Sequence, residues 1–414
     1  MPALVRRPRA ALAACLALAV LGSISSLAAD PDRFVQDRIA IGLWVPPQTS
    51  ENLEQRYQEI ADAHFNVVIG TAGTNAAAQL AICQRVGLHA LVDGSQPPAE
   101  LPDGPACWGY LLTDEPNASA FPALAERAKA IRQAKPGRLA YVNLFPNYAS
   151  AAQLGTSTYE EHVARFMSEF QPDVLSMDHY PVMRPDRDSR DSYIANLEVF
   201  RRHALAAQIP FWNYFYSMPF NDRIDPTEAQ LRWQIFTSLA HGAKGVLYFC
   251  YWTPGKGNAG TGEFPKGGAL ITAEGLRTRH YDEARRINAE VQFLGPTLMK
   301  LTNTAVLRVD TAQPLPGSPA DLPIRSVSRV GSDPHSQFIV GCFRHADGRR
   351  AVLLVNHSHA YTAWPTVEFD TSAAHLREID KSTGRERAAV DDSPELPGLQ
   401  VSFGPGDGRL FILP

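Results

Sequence analysis

The sequence predicts an α/β fold, a parallel (β/α)8 barrel followed by a small all-β sandwich. From residue 39 to about 300, short apolar runs alternate with helix-like segments. Most of the runs are continuously apolar, as strands are when helices cover both sheet faces. After Leu301 the helical periodicity ends, and short strand-like runs separated by turns take over.

The elements can be taken in chain order. Residues 1–29 read as a secretory signal. "RRPR" is a charged start, "AALAACLALAVLGSI" an apolar stretch too short to span a membrane comfortably, and "SSLAAD" a small-residue cleavage site. "LAAC" at Cys15 has the look of a lipoprotein box, but little apolar sequence precedes it. The expected location is therefore periplasmic or extracellular.

Residues 36–301 carry eight runs: "IAIGLWVPP", "FNVVIGTAGT", "LHALVDG", "CWGYLLTDEP", "LAYVNLFPN", "DVLSMDHYP", "IPFWNYFYSM" and "KGVLYFCYW". The helices between them have readable ends. "DPTEAQLRWQIFTSLAHG" offers Asp225 as N-cap, Pro226 at the first position and Glu228 for a capping box. Leu231, Ile235 and Leu239 make its buried stripe, and Gly242 ends it. "FPALAERAKAIRQAKPG" stops at Pro136-Gly137. No Gly-rich phosphate turn follows the first strand, as a doubly wound sheet would require. Residues 302–414 read as the sandwich, with "HADGRR" and "GPGDGR" as hairpin-type turns and "QPLPGSPADLP" as a Pro-rich loop.

The chain has 414 residues, 45% hydrophobic and 20% charged, with a net charge of −4. This is a globular composition without a basic patch, which argues against a nucleic-acid partner. Beyond the signal no run is long enough to cross a membrane. Cys83, Cys107, Cys250 and Cys342 match no zinc spacing. Export would permit a Cys83–Cys107 disulfide; four buried thiols are the equal alternative. No motif implies a cofactor or a metal. "GKGNAG" opens no helix, and "HSH" lies in the sandwich. The oligomeric state is not legible.

Side chains at the C-terminal ends of barrel strands face the functional site. Reading those ends gives Trp44 on strand 1, Asp114 and Glu115 on strand 4, and Asn143 and Asn147 on strand 5. Strand 6 offers Asp178, His179 and Tyr180, strand 7 Trp212, Asn213 and Tyr216, and strand 8 Tyr251 and Trp252. Acids, amides and aromatics on one rim suit a carbohydrate. One carboxylic acid protonates a glycosidic oxygen, a second carboxylate attacks or activates water, and aromatic faces stack on sugar rings. Glu115 is the expected acid. Asp178, or Glu263 in the long loop after strand 8, is the expected second carboxylate. Asp114, Trp44, Asn143, His179, Tyr180, Asn213, Tyr216 and Trp252 are the expected substrate contacts.

"GYLLTDEPN" resembles the strand 4 acid/base signature of clan A glycoside hydrolases, the superfamily that includes β-galactosidases of the family 42 type. "AHGAKGVLYFCYW" is similar to their last barrel strand. The resemblance implies that Glu115 is the acid/base and that Asp114 stands where the family has Asn. It also implies a nucleophilic Glu at the end of strand 7, and "FWNYFYSM" has no acid there. Two other functions stay open: a glycan-binding protein without catalysis, and a polysaccharide lyase with Tyr180 or His179 as base.

Overall fold

In the computed structural model, residues 32–70, 75–255, 268–315 and 322–414 are described. The proposed signal segment, Glu263 and most of "GKGNAG" lie outside them.

Eight parallel strands close a barrel. They are β1 (Ala40–Leu43), β2 (Val67–Ile69), β3 (His89–Asp93), β4 (Cys107–Asp114), β5 (Leu139–Leu144), β6 (Leu175–Asp178), β7 (Phe211–Tyr216) and β8 (Gly245–Phe249), with β8 paired back onto β1. Helices α1 (Leu53–Asp62) and α2 (Ala76–Val86) follow β1 and β2. α3 (Phe121–Ala134) follows β4, and α4 (Ala151–Leu154) and α5 (Tyr159–Glu169) follow β5. α6 (Arg190–Ala207), α7 (Glu228–Ala240) and α8 (Arg279–Leu298) follow β6, β7 and β8. The eight expected strand–helix units are reduced to seven, because β3 and β4 are joined by a 3-10 turn at Pro98–Glu100. Pro97, Pro98, Pro102 and Pro105 in that connection remove the donors a helix would need.

The barrel interior is packed. Leu91, Trp108, Leu139, Tyr141, Trp212, Tyr214 and Leu247 fill it with neighbours from the other strands. Gly245 makes room for Trp212, since a Cβ there would lie 2.4 Å from the indole. The floor is sealed by the segment before β1: Phe34 packs on Trp108 at 5.5 Å, and the Trp212 indole N–H donates to Gln36.

The start of α7 differs from the sequence expectation. Thr227 is the N-cap, with its hydroxyl accepting from the Gln230 N–H, and Gln230 completes the capping box. Asp225 bonds instead to Arg279 and His280 of α8. Two cap-type residues stand two apart, and the acid is claimed by the neighbouring helix.

The sandwich follows. Its larger sheet has the order β9 (Leu301–Asp310), β11 (Gln337–His345), β12 (Arg350–Asn356), β17 (Gly408–Leu413), β14 (Arg377–Ile379), β15 (Glu386–Ala388). The smaller one is β10 (Ile324–Ser328), β13 (Thr366–Phe369), β16 (Leu399–Gln400). "HADGRR" is the β11–β12 hairpin, but "GPGDGR" crosses from the small sheet to the large one and is no hairpin. The large sheet is apolar on both faces. Phe338, Val340, Val352 and Leu354 meet the small sheet, while Ile339, Leu353, Val355 and Leu410 share a core with Leu231, Ile235 and Leu239 of α7. Helix α7 is thus buried almost all round, and barrel and sandwich have a continuous apolar interior. All four described cysteines are free and buried, so the Cys83–Cys107 disulfide does not form.

Candidate active site

Strands β4, β5 and β6 bring three carboxyl groups and one amide together at the C-terminal mouth. The placement depends on an irregularity in β4. Leu111 pairs with Tyr141 and Thr113 with Val142, which leaves Leu112 as an extra residue. Strict alternation from inward Leu111 would turn Thr113 inward. The extra residue instead puts Asp114 level with inward-facing Asn143. The next residue, Glu115, has φ 46°, a left-handed conformation that a side chain with a Cβ seldom adopts. Its N–H still donates to the Asn143 carbonyl at 2.9 Å. Pro116, lacking an N–H, then leaves the sheet.

Asn143 organises the carboxyls. Its Oδ1 accepts from the Ser176 hydroxyl at 3.0 Å, and Ser176 shares a 2.7 Å hydrogen bond with the Tyr141 hydroxyl. That fixes the amide orientation. Its Nδ2 therefore faces the acids, donating to Asp114 at 3.1 Å and to Asp178 at 3.0 Å.

Asp178 is buried, and burial, with the charges of Glu115 and Asp114 added, drives its carboxyl well above the ordinary range. Glu115 is pushed up to about 7 by burial first and by Asp114 second. The Glu115 and Asp178 carboxyls are close enough to interact, which works against the rise at Glu115 and adds to the rise at Asp178. Asp114 is raised in the same direction by its crowded setting, although it is open to solvent at the mouth and water screens part of the effect. No ion pair to these three acids occurs among the described residues. Like charges at such range cannot all ionise, so the cluster holds a proton near neutral pH, shared between Glu115 and Asp178.

Aromatic rings form the wall. Tyr180 is half-buried against Phe249 at 5.1 Å and Phe220 at 5.5 Å. Trp44 meets Tyr214 edge-on at 5.8 Å. The hydroxyls of Tyr214 and Tyr216 are buried without a partner among the described residues. Arg223 donates to the Tyr180 carbonyl at 3.1 Å and to the hydroxyl of exposed Tyr148 at 3.2 Å, while its charge pairs with Asp222.

Three expected site residues lie elsewhere. Asn213 faces outward from β7 and donates to Tyr193 and Ser238 in the helix layer. The alternation of β7 gives Trp212, Tyr214 and Tyr216 the inner face and leaves Asn213 the outer one. Trp252 is buried in the barrel–helix core under the Arg56 guanidinium, 5.5 Å from its ring centre, so it offers no face to a ligand. His179 lies behind the acid cluster, with Nδ1 on Asn196 at 3.1 Å and its ring between Tyr148 and Tyr193. Burial holds it down to about 4, so it is neutral and poorly basic.

Tyr141, Ser176, Tyr148 and Arg223 belong to the site and were not singled out from the sequence. Ser176 and Tyr141 stand two residues before Asp178 and Asn143, and strand alternation alone would have placed them on the inner face. Tyr148 and Arg223 come from loops, and no local pattern marks them.

No protein-family model matches the chain, and no curated protein is similar to it in sequence. Solved structures similar in fold include a β-galactosidase from the psychrophilic Marinomonas ef1, 12% identical over 62% of this chain and 60% of that one, with TM-score 0.44. A β-galactosidase from the Antarctic haloarchaeon Halorubrum lacusprofundi is 14% identical over 63% and 59%, with TM-score 0.44. A Bifidobacterium dentium β-glucuronidase is 13% identical over 60% and 46%, with TM-score 0.41. The chain spans less than two thirds of the length of these enzymes.

Proposed function

We propose that the protein is an exported glycoside hydrolase that cleaves O-glycosidic bonds in oligo- or polysaccharide, with Glu115 as general acid and Asp178 as its partner carboxylate. The observation that carries this reading is the Glu115–Asp178 contact. It pairs a carboxyl poised at about 7 with a buried acid across the mouth of a barrel. Two carboxyls close enough to interact favour the shorter separation of a retaining pair, about 5–5.5 Å, over the about 6.5–9.5 Å of an inverting one. Glu115 passes the shared proton to the glycosidic oxygen. Asp178, its charge supported by the Asn143 amide, attacks the anomeric carbon as the C–O bond breaks. Glu115, now ionised, takes a proton from the water that releases the sugar. Asp178 on β6 thereby replaces the strand 7 acid that the clan A resemblance implies and the chain lacks.

The test compares wild type, Glu115→Gln and Asp178→Asn on a panel of plant and bacterial oligosaccharides, reading released reducing sugar. Release by wild type and loss of it in both variants is expected. Undiminished release by Glu115→Gln would remove the assignment. The absence of an acid from Phe211 to Ser217 favours one rival, glycan binding without cleavage. That rival predicts binding by calorimetry with no sugar released. The lyase reading loses its histidine, since neutral, buried His179 is turned toward Asn196.

A further inference from the structure

A cavity outside the mouth lies where the sandwich meets the start of α6. Its volume is about 660 Å³, within the range of about 300–1,000 Å³ usual for small-molecule sites. One wall is the connection from β12 to β13, which carries Tyr361 and Trp364, 77% and 54% exposed. Large aromatic rings left this open forgo the gain of burial.

The backbone beneath them is held. Asn356 Nδ2 donates to the Tyr361 carbonyl at 2.8 Å, and Ser358 Oγ accepts from the N–H groups of Ala360 and Tyr361. Ala363 pairs with Phe403 in both directions, at 3.0 and 2.8 Å. The rings are therefore displayed on a pre-organised support, which reduces the ordering cost of binding.

A second feature points to a ligand. His357 also lines the cavity and is 3% exposed. Its Nδ1 accepts from the Trp233 indole N–H at 3.1 Å, so the ring proton sits on Nε2, and that buried donor has no partner among the described residues. An unsatisfied buried donor is costly unless an acceptor arrives. Asp333, His335 and Arg329 also line the cavity and supply polar groups. Flat aromatic faces combined with mixed donors and acceptors suit a pyranose, which has apolar ring faces and equatorial hydroxyls.

We propose that this cavity is a second saccharide-binding site, with Trp364 and Tyr361 as its stacking platform. The choice of a sugar rests on the reading of the barrel as carbohydrate-active; the existence of a site rests on the cavity itself. The site adjoins the catalytic side of the barrel. Arg190, at the start of α6, holds the His357 carbonyl at 2.9 Å and pairs with Asp188, in the hairpin that follows β6. It would retain a long glycan while the mouth acts on it.

The test is native affinity electrophoresis of the full chain in gels containing barley β-glucan, xylan, galactomannan or polygalacturonate. Wild type and Glu115→Gln should both be retarded in at least one gel. Tyr361→Ala/Trp364→Ala should bind at least tenfold more weakly in that gel, and Trp364→Phe, which keeps a ring, should fall between. Melting by circular dichroism identifies any variant that fails to fold. No retardation of wild type in any gel, or retardation that the double variant retains, would overturn the proposal. Sugar release without platform-dependent retardation refutes the second site and leaves the hydrolase. Platform-dependent retardation with unimpaired release by Glu115→Gln does the reverse.

Discussion

Glu115→Gln should separate stability from activity, and in a pH-dependent way. The folded chain raises this carboxyl from an ordinary 4.5 to about 7. At about 1.36 kcal/mol per unit, ionising Glu115 in place costs the folded state up to ~3 kcal/mol, less whatever the Asp178 contact takes up. Because the folded-state value is raised, the folded chain binds the proton more tightly than the unfolded chain. Stability from this group is complete below pH 4.5 and is lost as the pH rises through 7. Glutamine is neutral throughout and keeps a donor toward Asp178. The variant should therefore match wild type within ~0.5 kcal/mol at pH 4 and exceed it by ~2–3 kcal/mol at pH 8, while releasing no sugar. Urea unfolding at the two pH values, followed by tryptophan fluorescence, measures the difference. A variant no more stable than wild type at pH 8 would refute the claim that Glu115 is strained by its neighbours.

Other outcomes follow from the same geometry. Asp114→Asn removes the second cause of the Glu115 shift, so the Glu115 carboxyl falls and the alkaline limb of the pH–rate profile moves to lower pH. Asn143→Leu removes the donor to the attacking Asp178 and should cut kcat by roughly 10–100-fold, the worth of one hydrogen bond to a charged group at about 1.5–3 kcal/mol. An unchanged kcat would show that the amide does not orient the acids. Gly341→Ala places a Cβ 2.2 Å from the Ala240 carbonyl, so the sandwich must shift off α7, costing ~1–3 kcal/mol by thermal unfolding. Cys83, Cys107, Cys250 and Cys342 should resist a thiol reagent in the native state and react after denaturation, with equal gel mobility with and without reductant.

Amino-acid order alone was enough to read the barrel, the sandwich and the strand ends that carry the chemistry. Continuous apolar runs, proline stops and the change of period at Leu301 are local signals, and each element is stabilised on one recognisable pattern. It also put Asp114, Glu115, Asn143 and Asp178 on the list, because topology alone sends those ends to one rim. The tertiary structure decided how they meet. Whether Asp114 or Thr113 turns inward depends on an extra residue at Leu112, which is set by pairing with β5 and not by β4. Which acid partners Glu115 depends on a contact between β4 and β6, separated by more than sixty residues of chain. Burial at the mouth, and then the charge of Asp114, raise the Glu115 carboxyl toward neutrality. Trp252 and Asn213 show the converse. Their residue types suit a sugar, but packing under Arg56 and strand alternation give them to the core and the helix layer. Residue type announces what a side chain is able to do; burial, register and neighbouring charge, which exist only in the folded chain, decide whether it does so.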